Sequence, residues 1–233
     1  MTDRVLQCEA VRFTYADNGF GLSIPSFEVL PGETVFLEGE SGSGKSTALN
    51  LMAGVLRASE GQVRLMGQSL NTLSESRIDA LRVAHIGFIF QQFNVLPYLN
   101  VIDNVTLPCR FSRPRMERAL QAFPTVNAAA HNLLDRLGMG QYVNTPVNAL
   151  SVGQQQRVAA ARAFIGNPAL IIADEPTSAL DARHQADFAS LLVEQAQQQG
   201  SAVLLVSHDP ALATHCSRRE RMVDWRISSP VSS

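Results

Sequence analysis

The chain contains 233 residues, 45% of them hydrophobic, and its 19 basic and 21 acidic residues give a formal net charge of −2. This length and composition suffice for a substantial buried core, and the charge balance argues against a nucleic-acid partner. No stretch approaches the roughly 18 apolar residues of a membrane span, and no apolar signal segment follows Met1. The cysteines lie far apart without C-x-x-C spacing, which favours a reducing, cytosolic setting over a disulfide framework or a zinc site.

Strand-like segments occupy the first part of the chain, at residues 4–15, 27–30 and 34–37. They are separated by the turn sequences Asp17-Asn18-Gly19 and Pro31-Gly32. An alternating segment further on, residues 61–66, predicts another strand. Because later segments alternate between strand and helix patterns, the sequence predicts an α/β fold.

Residues 39–47 read G-E-S-G-S-G-K-S-T and match the complete phosphate-binding pattern G-x-x-x-x-G-K-S/T. The glycines let backbone N–H groups approach phosphate oxygens, and Lys45 adds a positive charge between the outer phosphates. Ser46 offers a hydroxyl ligand to Mg²⁺, and Thr47 can hold the loop in place. A glycine-rich turn that only caps a helix would use similar residues, but the apolar strand before the loop and the apolar helix after it favour phosphate binding.

The pattern changes at about residues 94–166, where helical stretches are separated by prolines, and this predicts an inserted helical subdomain. Two apolar strands follow at residues 169–173 and 202–206, separated by a polar helix at residues 182–199. The basic cluster Arg218-Arg219-Glu220-Arg221 is interpreted as a solvated face.

The first of these strands ends in two adjacent carboxylates, Asp174 and Glu175. Ligands bind at the carboxyl ends of strands in open α/β sheets, and strands buried on both faces read as continuous apolar runs. Asp174 would therefore hold Mg²⁺, directly or through a water, and Glu175 would orient and deprotonate the attacking water. Adjacent acids are also common at plain turns, but the phosphate-binding loop in the same chain favours the catalytic interpretation.

Between these two motifs, residues 150–157 read L-S-V-G-Q-Q-Q-R. This segment resembles the signature L-S-G-G-Q-Q-Q-R of the nucleotide-binding subunits of ABC transporters. Ser151 and the backbone amides near Gly153 would form a helix N-terminus that binds an anion. The resemblance implies that this terminus contacts the γ-phosphate held by the opposite subunit, whereas a serine that caps a helix only for packing would look the same.

The signature departs from the family pattern at one position, where Val152 replaces the first glycine. The backbone N–H is retained, so contact with phosphate is still possible. A β-branched residue restricts the backbone and crowds an interface. We therefore expect weaker or slower dimer closure rather than loss of function.

The resemblance assigns roles to further residues. Tyr15 falls where the family places an aromatic ring that stacks on adenine, although a tyrosine at a strand end can also be mere packing. Gln91 resembles the Q-loop glutamine that reaches Mg²⁺ and the attacking water, with Gln92 as the competing assignment. Asp181 lies in a segment that resembles the D-loop at the dimer interface, and His208 resembles the switch histidine that contacts the γ-phosphate.

These matches predict an ATPase that uses ATP and Mg²⁺. The predicted catalytic residues are Lys45, Gln91, Glu175 and His208, and the predicted Mg²⁺ ligands are Ser46, Gln91 and Asp174. The predicted ATP contacts are Tyr15, Gly39, Glu40, Ser41, Gly42, Ser43, Gly44, Lys45, Ser46, Thr47, Gln91, Ser151, Gly153, Gln154, Asp174, Asp181 and His208.

The resemblance also implies the architecture, which is a P-loop NTPase with a RecA-like core, an antiparallel β subdomain and an inserted helical subdomain. We expect residues 1–233 to form a single ABC ATPase domain, with the core at residues 1–91 and 166–233 and the helical subdomain at about residues 92–165. Residues 110–130 depart from the usual spacing and add a short insertion, and Trp225 stands where a turn glycine is usual.

Within the family, the segments F-Q-Q-F-N-V-L-P at residues 90–97 and D-N-V-T-L-P at residues 103–108 resemble the branch for lipoprotein release, macrolide efflux and related export. The resemblance implies a head-to-tail homodimer that closes on ATP. It also implies a separate membrane permease whose cytoplasmic helix docks near residues 93–99, where exposed apolar residues are expected. The chain would then lie at the cytoplasmic face of the inner membrane and power export or extraction of a lipophilic or peptide-like substrate.

Two alternatives remain open at this stage. An ABC-type ATPase that regulates a membrane partner in cell division or another envelope process would share every site residue. A soluble ABC ATPase of DNA repair, chromosome organisation or cluster assembly is a different class, and the DNA-associated members carry coiled coils, zinc insertions or basic surfaces that this sequence lacks.

Overall fold

The computed structural model describes residues 4–15, 20–40, 42–178, 180–222 and 225–228. Ser41, a predicted ATP contact, lies outside the described residues, as do the turn Asp17-Asn18-Gly19 and Ala179 of the segment that resembles the D-loop. The strands are β1 (Leu6–Thr14), β2 (Phe20–Val29), β3 (Thr34–Glu38), β4 (Glu60–Leu65), β5 (Gln68–Ser69), β6 (Ile86–Ile89), β7 (Leu170–Asp174), β8 (Ala202–Ser207), β9 (Arg218–Arg221) and β10 (Arg226–Ser228). The α-helices are α1 (Lys45–Met52), α2 (Glu75–His85), α3 (Val101–Phe111), α4 (Arg113–Ala122), α5 (Val126–Arg136), α6 (Val152–Phe164) and α7 (Ala182–Gln199). Short 3-10 helices occupy Leu70–Thr72, Gly140–Tyr142, Val147–Ala149 and Pro210–His215.

A parallel sheet forms the centre of the fold, with the strand order β6-β7-β8-β3-β9. Its middle strand β8 is buried at every position, as the continuous apolar run predicts. The carboxyl ends of all parallel strands in one sheet lie at the same edge. Segments that follow β3, β6, β7 and β8 in the sequence therefore meet there.

The second sheet is antiparallel and has the order β10-β2-β1-β4-β5. Its strands come mainly from the first 70 residues, together with β10 from the end of the described chain. This sheet is the predicted antiparallel β subdomain. It lies over one face of the parallel sheet, because buried side chains of both sheets belong to one hydrophobic cluster with α1.

Side chains of the parallel strands alternate between two hydrophobic cores, as expected for a sheet buried on both faces. Along β7, Leu170 and Ile172 pack towards α1 and the antiparallel sheet. Ile171 and Ala173 pack on the other side, in a core shared with α3, α5, α6 and α7. Both faces of the sheet are thus covered by packed side chains. This packing fixes the strand ends from which the loops at the carboxyl edge begin.

The helices between β6 and β7 pack on one another, and α6 also packs directly against β6. Gly87 of β6 allows this approach, because a Cβ on it would lie 2.3 Å from the carbonyl oxygen of Ala163 in α6. The division into a core and a helical subdomain at about residues 92 and 165 stays a prediction. Helix α7 has the bounds that the sequence predicts, residues 182–199.

The cluster Arg218-Arg219-Glu220-Arg221 is β9, an edge strand, in which Arg219 and Arg221 are exposed and Arg218 and Glu220 are half-buried. Arg218 bonds to Glu33 and Glu220, while Arg219 and Arg221 both bond to Glu38. These acids lie before β3, within β9 and at the end of β3, so the pairing depends on contacts between distant parts of the chain. The ion pairs order the arginines along the sheet edge.

Trp225 is buried against Phe27, with ring centroids 5.6 Å apart in an edge-to-face arrangement. Strand β10, which follows it, joins β2 rather than β9, so the two last strands belong to different sheets and form no hairpin with each other. Within the described residues, no helix has both the length and the apolarity needed to cross a bilayer.

Candidate nucleotide site

The carboxyl edge of the parallel sheet carries the predicted site residues. The phosphate-binding loop follows β3, Asp174 ends β7, and Ser207 ends β8 directly before His208. Gln91 follows β6 two residues after its last residue. A cavity of about 750 Å³ opens at this edge. The described residues that line it are Phe20, Glu40, Gly42, Gly44, Lys45, Ser46, Thr47, Gln91, Asp174, Glu175 and His208.

The phosphate-binding loop leads directly into α1. Gly44 precedes the helix with a φ of 97°, a left-handed conformation that favours glycine. A Cβ on Gly44 would also lie 2.8 Å from the ring of Phe20, so space as well as backbone conformation requires glycine here. The first N–H groups of α1 have no partner within the helix and face the cavity end of the loop, which suits an anion.

Lys45 is held at the centre of the site by several bonds. Its Nζ donates to the carbonyl oxygens of Gly39 at 2.7 Å and Glu40 at 3.1 Å, and it lies 3.1 Å from Oε1 of Glu175. Gly39 contributes through this carbonyl rather than by lining the cavity. These contacts hold the cation of Lys45 in the wall of the cavity, between the loop and Glu175.

Glu175 is the most constrained carboxylate of the site. Its φ of 46° lies in the left-handed region, which is uncommon for a residue other than glycine and typical of functional sites. Oε2 accepts a hydrogen bond from Ser207 Oγ at 2.9 Å, and Oε1 contacts the His208 ring at 2.8 Å and accepts from its backbone N–H at 3.2 Å. The side chain is thus fixed by two adjacent residues of β8 and its following loop.

These contacts determine the protonation state of Glu175. Burial would raise the pKa of this carboxyl group, but hydrogen bonds from His208, Lys45 and Ser207 outweigh burial and hold the pKa below its usual value of 4.5. Glu175 is consequently ionised at neutral pH. An ionised carboxylate can accept a hydrogen bond, and ultimately a proton, from water.

Asp174 behaves in the opposite way. Its burial and the negative charge of Glu175 raise its pKa above 3.8, although Lys45 and Ser46 act in the other direction. Ser46 Oγ donates to Asp174 Oδ2 at 3.5 Å. A hydroxyl and a carboxylate that converge in this way are oxygen ligands of the kind that Mg²⁺ prefers, and a bound cation would relieve the repulsion between the two acids. The residues present therefore fit a magnesium ion.

The remaining lining residues complete the cavity. Gln91 lines it, whereas its neighbour Gln92 is not among the described lining residues, which favours Gln91 as the Q-loop glutamine. Tyr15 is not among the described lining residues; its hydroxyl lies 3.5 Å from Thr47 Oγ1, and its ring is tilted against that of Phe20. Ser43 Oγ is buried without a hydrogen-bond partner in the described part of the chain.

The signature residues do not line this cavity. Ser151 caps α6, accepting from the backbone N–H of Gln154 at 3.3 Å, while the Gln154 side chain accepts from the backbone N–H of Ser151 at 2.9 Å. Ser151, Gly153 and Gln154 line a second cavity of about 420 Å³, which we call the signature pocket. Within one copy of the chain, the two halves of the predicted site are separate.

Two neighbours of the signature pocket bear on the predicted interface. Val152 is 50% exposed at the first position of α6, so its side chain would enter any contact made by that helix end. Asp181 caps α7 by accepting from the backbone N–H of His184 at 3.1 Å, and His184 itself lines the signature pocket. The segment resembling the D-loop therefore borders the same surface as Ser151.

Two contributors to the site escape sequence reasoning. Ser207 fixes Glu175, and its place at the end of an apolar strand next to His208 is the signal that could have identified it. Phe20 lines the cavity and restricts Gly44, but it belongs to no sequence motif. Its role follows only from the packing of the antiparallel sheet against the loop.

A glycine-rich loop between strand and helix, a lysine within it and two acids at a neighbouring strand end define the P-loop nucleoside triphosphatases. A family model described as ABC transporter matches residues 22–178. The chain belongs to this family and is an ABC transporter ATPase subunit. The predicted family and the predicted ATPase activity are thereby confirmed.

Curated relatives support the predicted branch. The chain is 41% identical over 196 residues to an uncharacterized ABC transporter ATP-binding protein, YbbA, of Escherichia coli K12, covering 84% of this chain and 83% of the relative. It is 36% identical to the lipoprotein-releasing system ATP-binding protein LolD of Hydrogenovibrio crunogenus, covering 99% and 98% of the two chains. It is 37% identical to a macrolide export ATP-binding/permease protein, MacB 1, of Yersinia pestis bv. Antiqua, covering 98% of this chain and 34% of that protein.

A solved structure supports the fold. The dimeric post-hydrolysis state of the ATP-binding cassette MJ0796, bound to ADP and Pi, matches with a TM-score of 0.75 and 33% identity over 93% of each chain. The predicted fold class, with its RecA-like core, is confirmed. That protein is a dimer that holds hydrolysis products, whereas the roles of individual residues in the present chain stay proposals.

Proposed function

We propose that this chain hydrolyses ATP at composite sites in a head-to-tail homodimer and drives a separate integral membrane subunit. The membrane subunit would export, or extract from the inner membrane, a lipophilic or peptide-like substrate. The chain itself would lie at the cytoplasmic face of the inner membrane as a peripheral subunit. The observation that carries this proposal is the separation of the phosphate-binding cavity from the signature pocket within one copy.

The separation has a direct structural consequence. Lys45 and Glu175 lie at the carboxyl edge of the parallel sheet, whereas Ser151 caps a helix in a different cavity. One copy therefore surrounds a triphosphate on one side only. A second copy in head-to-tail orientation would present its Ser151 and Gly153 to the terminal phosphate, and the reciprocal contact would complete the other site.

The residues at the sheet edge would each perform one task. Lys45 binds the outer phosphates, and Glu175 orients a water and takes its proton, since the carboxylate is already ionised and fixed by Ser207. His208 holds Glu175 and would contact the γ-phosphate, while Gln91 would help to orient the water. Mg²⁺ held by Ser46 and Asp174, with Gln91 in reach, would neutralise charge on the phosphates.

Closure of the dimer would supply the work. ATP contacts both copies only in the closed state, so it binds that state more tightly, and this difference in affinity limits the energy available for transport. Hydrolysis removes the phosphate that bridges the copies and allows them to separate. Val152, exposed at the signature helix end, would weaken closure by crowding the interface.

The surface that we assign to the membrane subunit shares no described lining residue with either cavity. Phe93 is buried, so the expectation that residues 93–99 expose their apolar side chains is wrong at this residue. Phe90 is half-exposed and Phe111 is 74% exposed beside a groove of about 360 Å³. Exposed aromatic residues next to a concavity are typical of a protein interface. We place the membrane subunit's cytoplasmic helix in this groove.

The transport class rests on the relatives. LolD belongs to a lipoprotein-releasing system. MacB is a macrolide export protein whose name includes both an ATP-binding and a permease part. The present chain covers 34% of MacB, which agrees with an ATP-binding portion that acts with a permease. One name describes release and the other export, and export or extraction of a substrate is the role that we propose from them.

The dimer is tested with a variant that binds ATP without hydrolysing it. Glu175→Gln should form a dimer with ATP, measured by light scattering after size exclusion. Adding Ser151→Arg should prevent this dimer, because a long side chain would enter the composite site. Ser76→Arg, at an exposed position of α2, is the matched control and should leave dimerisation intact. A Ser151→Arg variant that dimerises as well as the control would overturn the composite site.

The membrane partner is tested by affinity purification of the tagged chain from detergent extracts of its own cells. We expect an integral membrane protein with large periplasmic parts to co-purify at a fixed ratio. Its recovery should persist in Glu175→Gln. Recovery of the chain alone, or with soluble proteins only, would contradict a transport role.

A further inference from the structure

A buried glutamine of the signature helix bonds to the segment that follows the two acids of the nucleotide site. Gln156 lies in the second turn of α6 and is 0% exposed. Its side-chain Nε2 donates a hydrogen bond to the backbone carbonyl oxygen of Pro176. Pro176 directly follows Glu175 in the chain. The bond therefore joins the helix that begins at the signature to the residue next to the proposed base.

The segment after Glu175 is a tight turn that needs a donor from elsewhere. The backbone N–H of Ser178 donates to the carbonyl oxygen of Glu175 at 3.2 Å and closes a four-residue turn, with proline at the second position that such turns favour. This bond leaves the carbonyl group of Pro176 without a partner inside the turn. Because Pro176 is buried, a donor has to come from the protein rather than from solvent. Gln156 supplies that donor.

A second glutamine supports the same segment from the opposite side. Gln185 of α7 donates through its Nε2 to the carbonyl oxygens of Thr177 at 3.3 Å and Leu180 at 3.0 Å. The segment is thus held between α6 and α7. Of the two glutamines, Gln156 bonds to the residue that is nearer to Glu175.

The position of Glu175 depends on this support because its backbone is strained. A φ of 46° persists at a residue other than glycine only where the surrounding structure holds it. On the strand side, the backbone N–H of Glu175 donates to the carbonyl oxygen of Val206 at 2.8 Å. On the other side, Gln156 holds the carbonyl group of the next residue. Loss of that bond would let the backbone relax and move the carboxylate away from its donors.

The helix that presents Gln156 is itself packed firmly against the sheet. Residues 158–161 of α6 are completely buried. Near the end of the helix, the carbonyl oxygen of Ala163 lies so close to Gly87 of β6 that a Cβ on this glycine would not fit. The amide of Gln156 is therefore a donor with a fixed origin, which is the condition for positioning another group.

Stability alone does not account for a glutamine at this position. Oε1 of Gln156 is buried and has no hydrogen-bond partner among the described residues. A buried acceptor without a donor costs at least as much free energy as one ordinary hydrogen bond contributes. The gain from the Nε2 atom is thus offset by the cost at Oε1. Polar groups that are retained in spite of such a cost are typical of functional sites.

We propose that Gln156 is a positioning residue for ATP hydrolysis. By donating to Pro176, it holds the backbone of Glu175 in the conformation that places the carboxylate against Ser207 and His208. Gln156 is not among the described residues that line the nucleotide cavity, so within one copy it acts through Glu175. This inference rests on the role of Glu175 proposed above. It adds a support for the base that comes from the signature helix of the same chain.

The first test separates turnover from nucleotide binding. Gln156→Met keeps an unbranched side chain of similar length but removes the donor. We expect kcat for ATP hydrolysis to fall about tenfold because the base is displaced, while the affinity for ATP changes less than about twofold. Gln195→Met on α7 is the matched control, since Gln195 is 3% exposed and its Nε2 has no partner among the described residues. The control should leave both quantities unchanged.

The possible results of this test each decide the inference. A fall in kcat at constant nucleotide affinity would support it. Equal kcat in Gln156→Met and Gln195→Met would overturn it. A parallel loss of ATP affinity would also overturn it, because Gln156 would then maintain the nucleotide cavity as a whole rather than the base.

The second test distinguishes a hydrogen-bond donor from a group that only fills space. In Gln156→Glu, a neutral carboxyl group can donate to the carbonyl oxygen of Pro176, whereas an ionised one cannot. The kcat of this variant, divided by that of the unchanged chain at the same pH, should therefore fall as the pH rises. The same ratio for Gln156→Met should stay constant. A ratio for Gln156→Glu that is constant and as low as that of Gln156→Met would overturn the inference.

The second test includes its own control for other titrating groups. Arg157, His184 and Asp187 line the signature pocket together with Gln156. These residues are present in both variants, so any effect of their protonation on turnover would appear in both ratios. Only a slope that is specific to Gln156→Glu supports donation to Pro176. Equal slopes in the two variants would assign the pH dependence to these neighbours and overturn the inference.

The inference and the proposed function fail in different ways. Normal turnover in Glu175→Gln would remove the base, and the positioning role of Gln156 would fall with it. Lost turnover in Glu175→Gln, together with normal turnover in Gln156→Met, would overturn only the positioning role. The dimer test with Ser151→Arg is independent of both results.

Discussion

Two regions of this chain bury charge in opposite ways. Glu175 lies at the sheet edge with donors from Lys45, Ser207 and His208, all within the same chain. Arg115 lies buried between α4, α6 and β6, where it bonds to three carbonyl oxygens and pairs with no carboxylate among the described residues. The first charge is neutralised and held in one geometry, and the second is only oriented.

The difference shows what each region is built to do. A fixed, ionised carboxylate suits chemistry, because a general base must be positioned before the substrate arrives. A buried cation that bonds only to backbone carbonyl oxygens suits a structural role, because it joins α4 to β6 and to the end of α6.

The largest expected effect comes from removing the base. Glu175→Gln should retain ATP binding and reduce turnover by on the order of 10²- to 10⁴-fold, the usual contribution of a positioned general base. Steady-state phosphate release and nucleotide titration measure the two quantities. Glu194→Gln, exposed on α7, is the control and should behave as the unchanged chain. Normal turnover in Glu175→Gln would remove Glu175 from this role.

The next effect concerns the fold rather than the chemistry. Arg115→Met should lower the free energy of unfolding by about 2 kcal/mol, because the lost hydrogen bonds leave buried carbonyl oxygens without donors. Loss of the uncompensated charge offsets part of the cost. Arg113→Met, 84% exposed on the same helix, should change stability by less than about 0.5 kcal/mol in urea denaturation. Equal stabilities of the two variants would mean that Arg115 does not hold α4 in place.

A smaller effect distinguishes positioning from packing at the base. Ser207→Ala removes the hydroxyl 2.9 Å from Glu175 and should lower turnover about tenfold, since bonds to charged groups contribute about 1.5–3 kcal/mol. Ser201→Ala is the matched control, because Ser201 is equally buried and bonds to the carbonyl of Pro168. Both variants should lose similar stability, but only Ser207→Ala should lose turnover. Equal turnover in the two variants would rule out a positioning role.

The smallest expected effect is at the signature helix. Val152→Gly, made in the Glu175→Gln background, should increase ATP-dependent dimer affinity a few-fold by removing an exposed branched side chain from the interface. Val126 is the first residue of α5, as Val152 is of α6. Val126→Gly therefore serves as the control for the loss of helix stability that glycine causes. Weaker dimerisation in Val152→Gly would show that valine contributes contact rather than crowding.

Elements with continuous local signals are predictable from the sequence. The strand before the phosphate-binding loop, the apolar run before Asp174 and helix α7 all have the type that the pattern predicts. Helix α2 was not predicted, since it buries only Ile78, Leu81 and Ala84 and lacks a strong apolar stripe. Strand β9 has no apolar pattern and reads as polar surface. Its arginines pair with Glu33 and Glu38, which lie far away in the sequence, so no local signal indicates the strand.

The sequence by itself determined the chemistry of the nucleotide site, because the phosphate-binding loop, the acids after β7 and the signature are each contiguous segments whose spacing carries their function. Tertiary structure alone decided which distant groups surround them. It placed Ser207 against Glu175, separated Ser151 from Lys45 and buried Arg115 among carbonyl oxygens that lie 29 to 50 residues away in the chain. Such contacts join residues that share no local pattern, so only the packing of the sheet and helices reveals them.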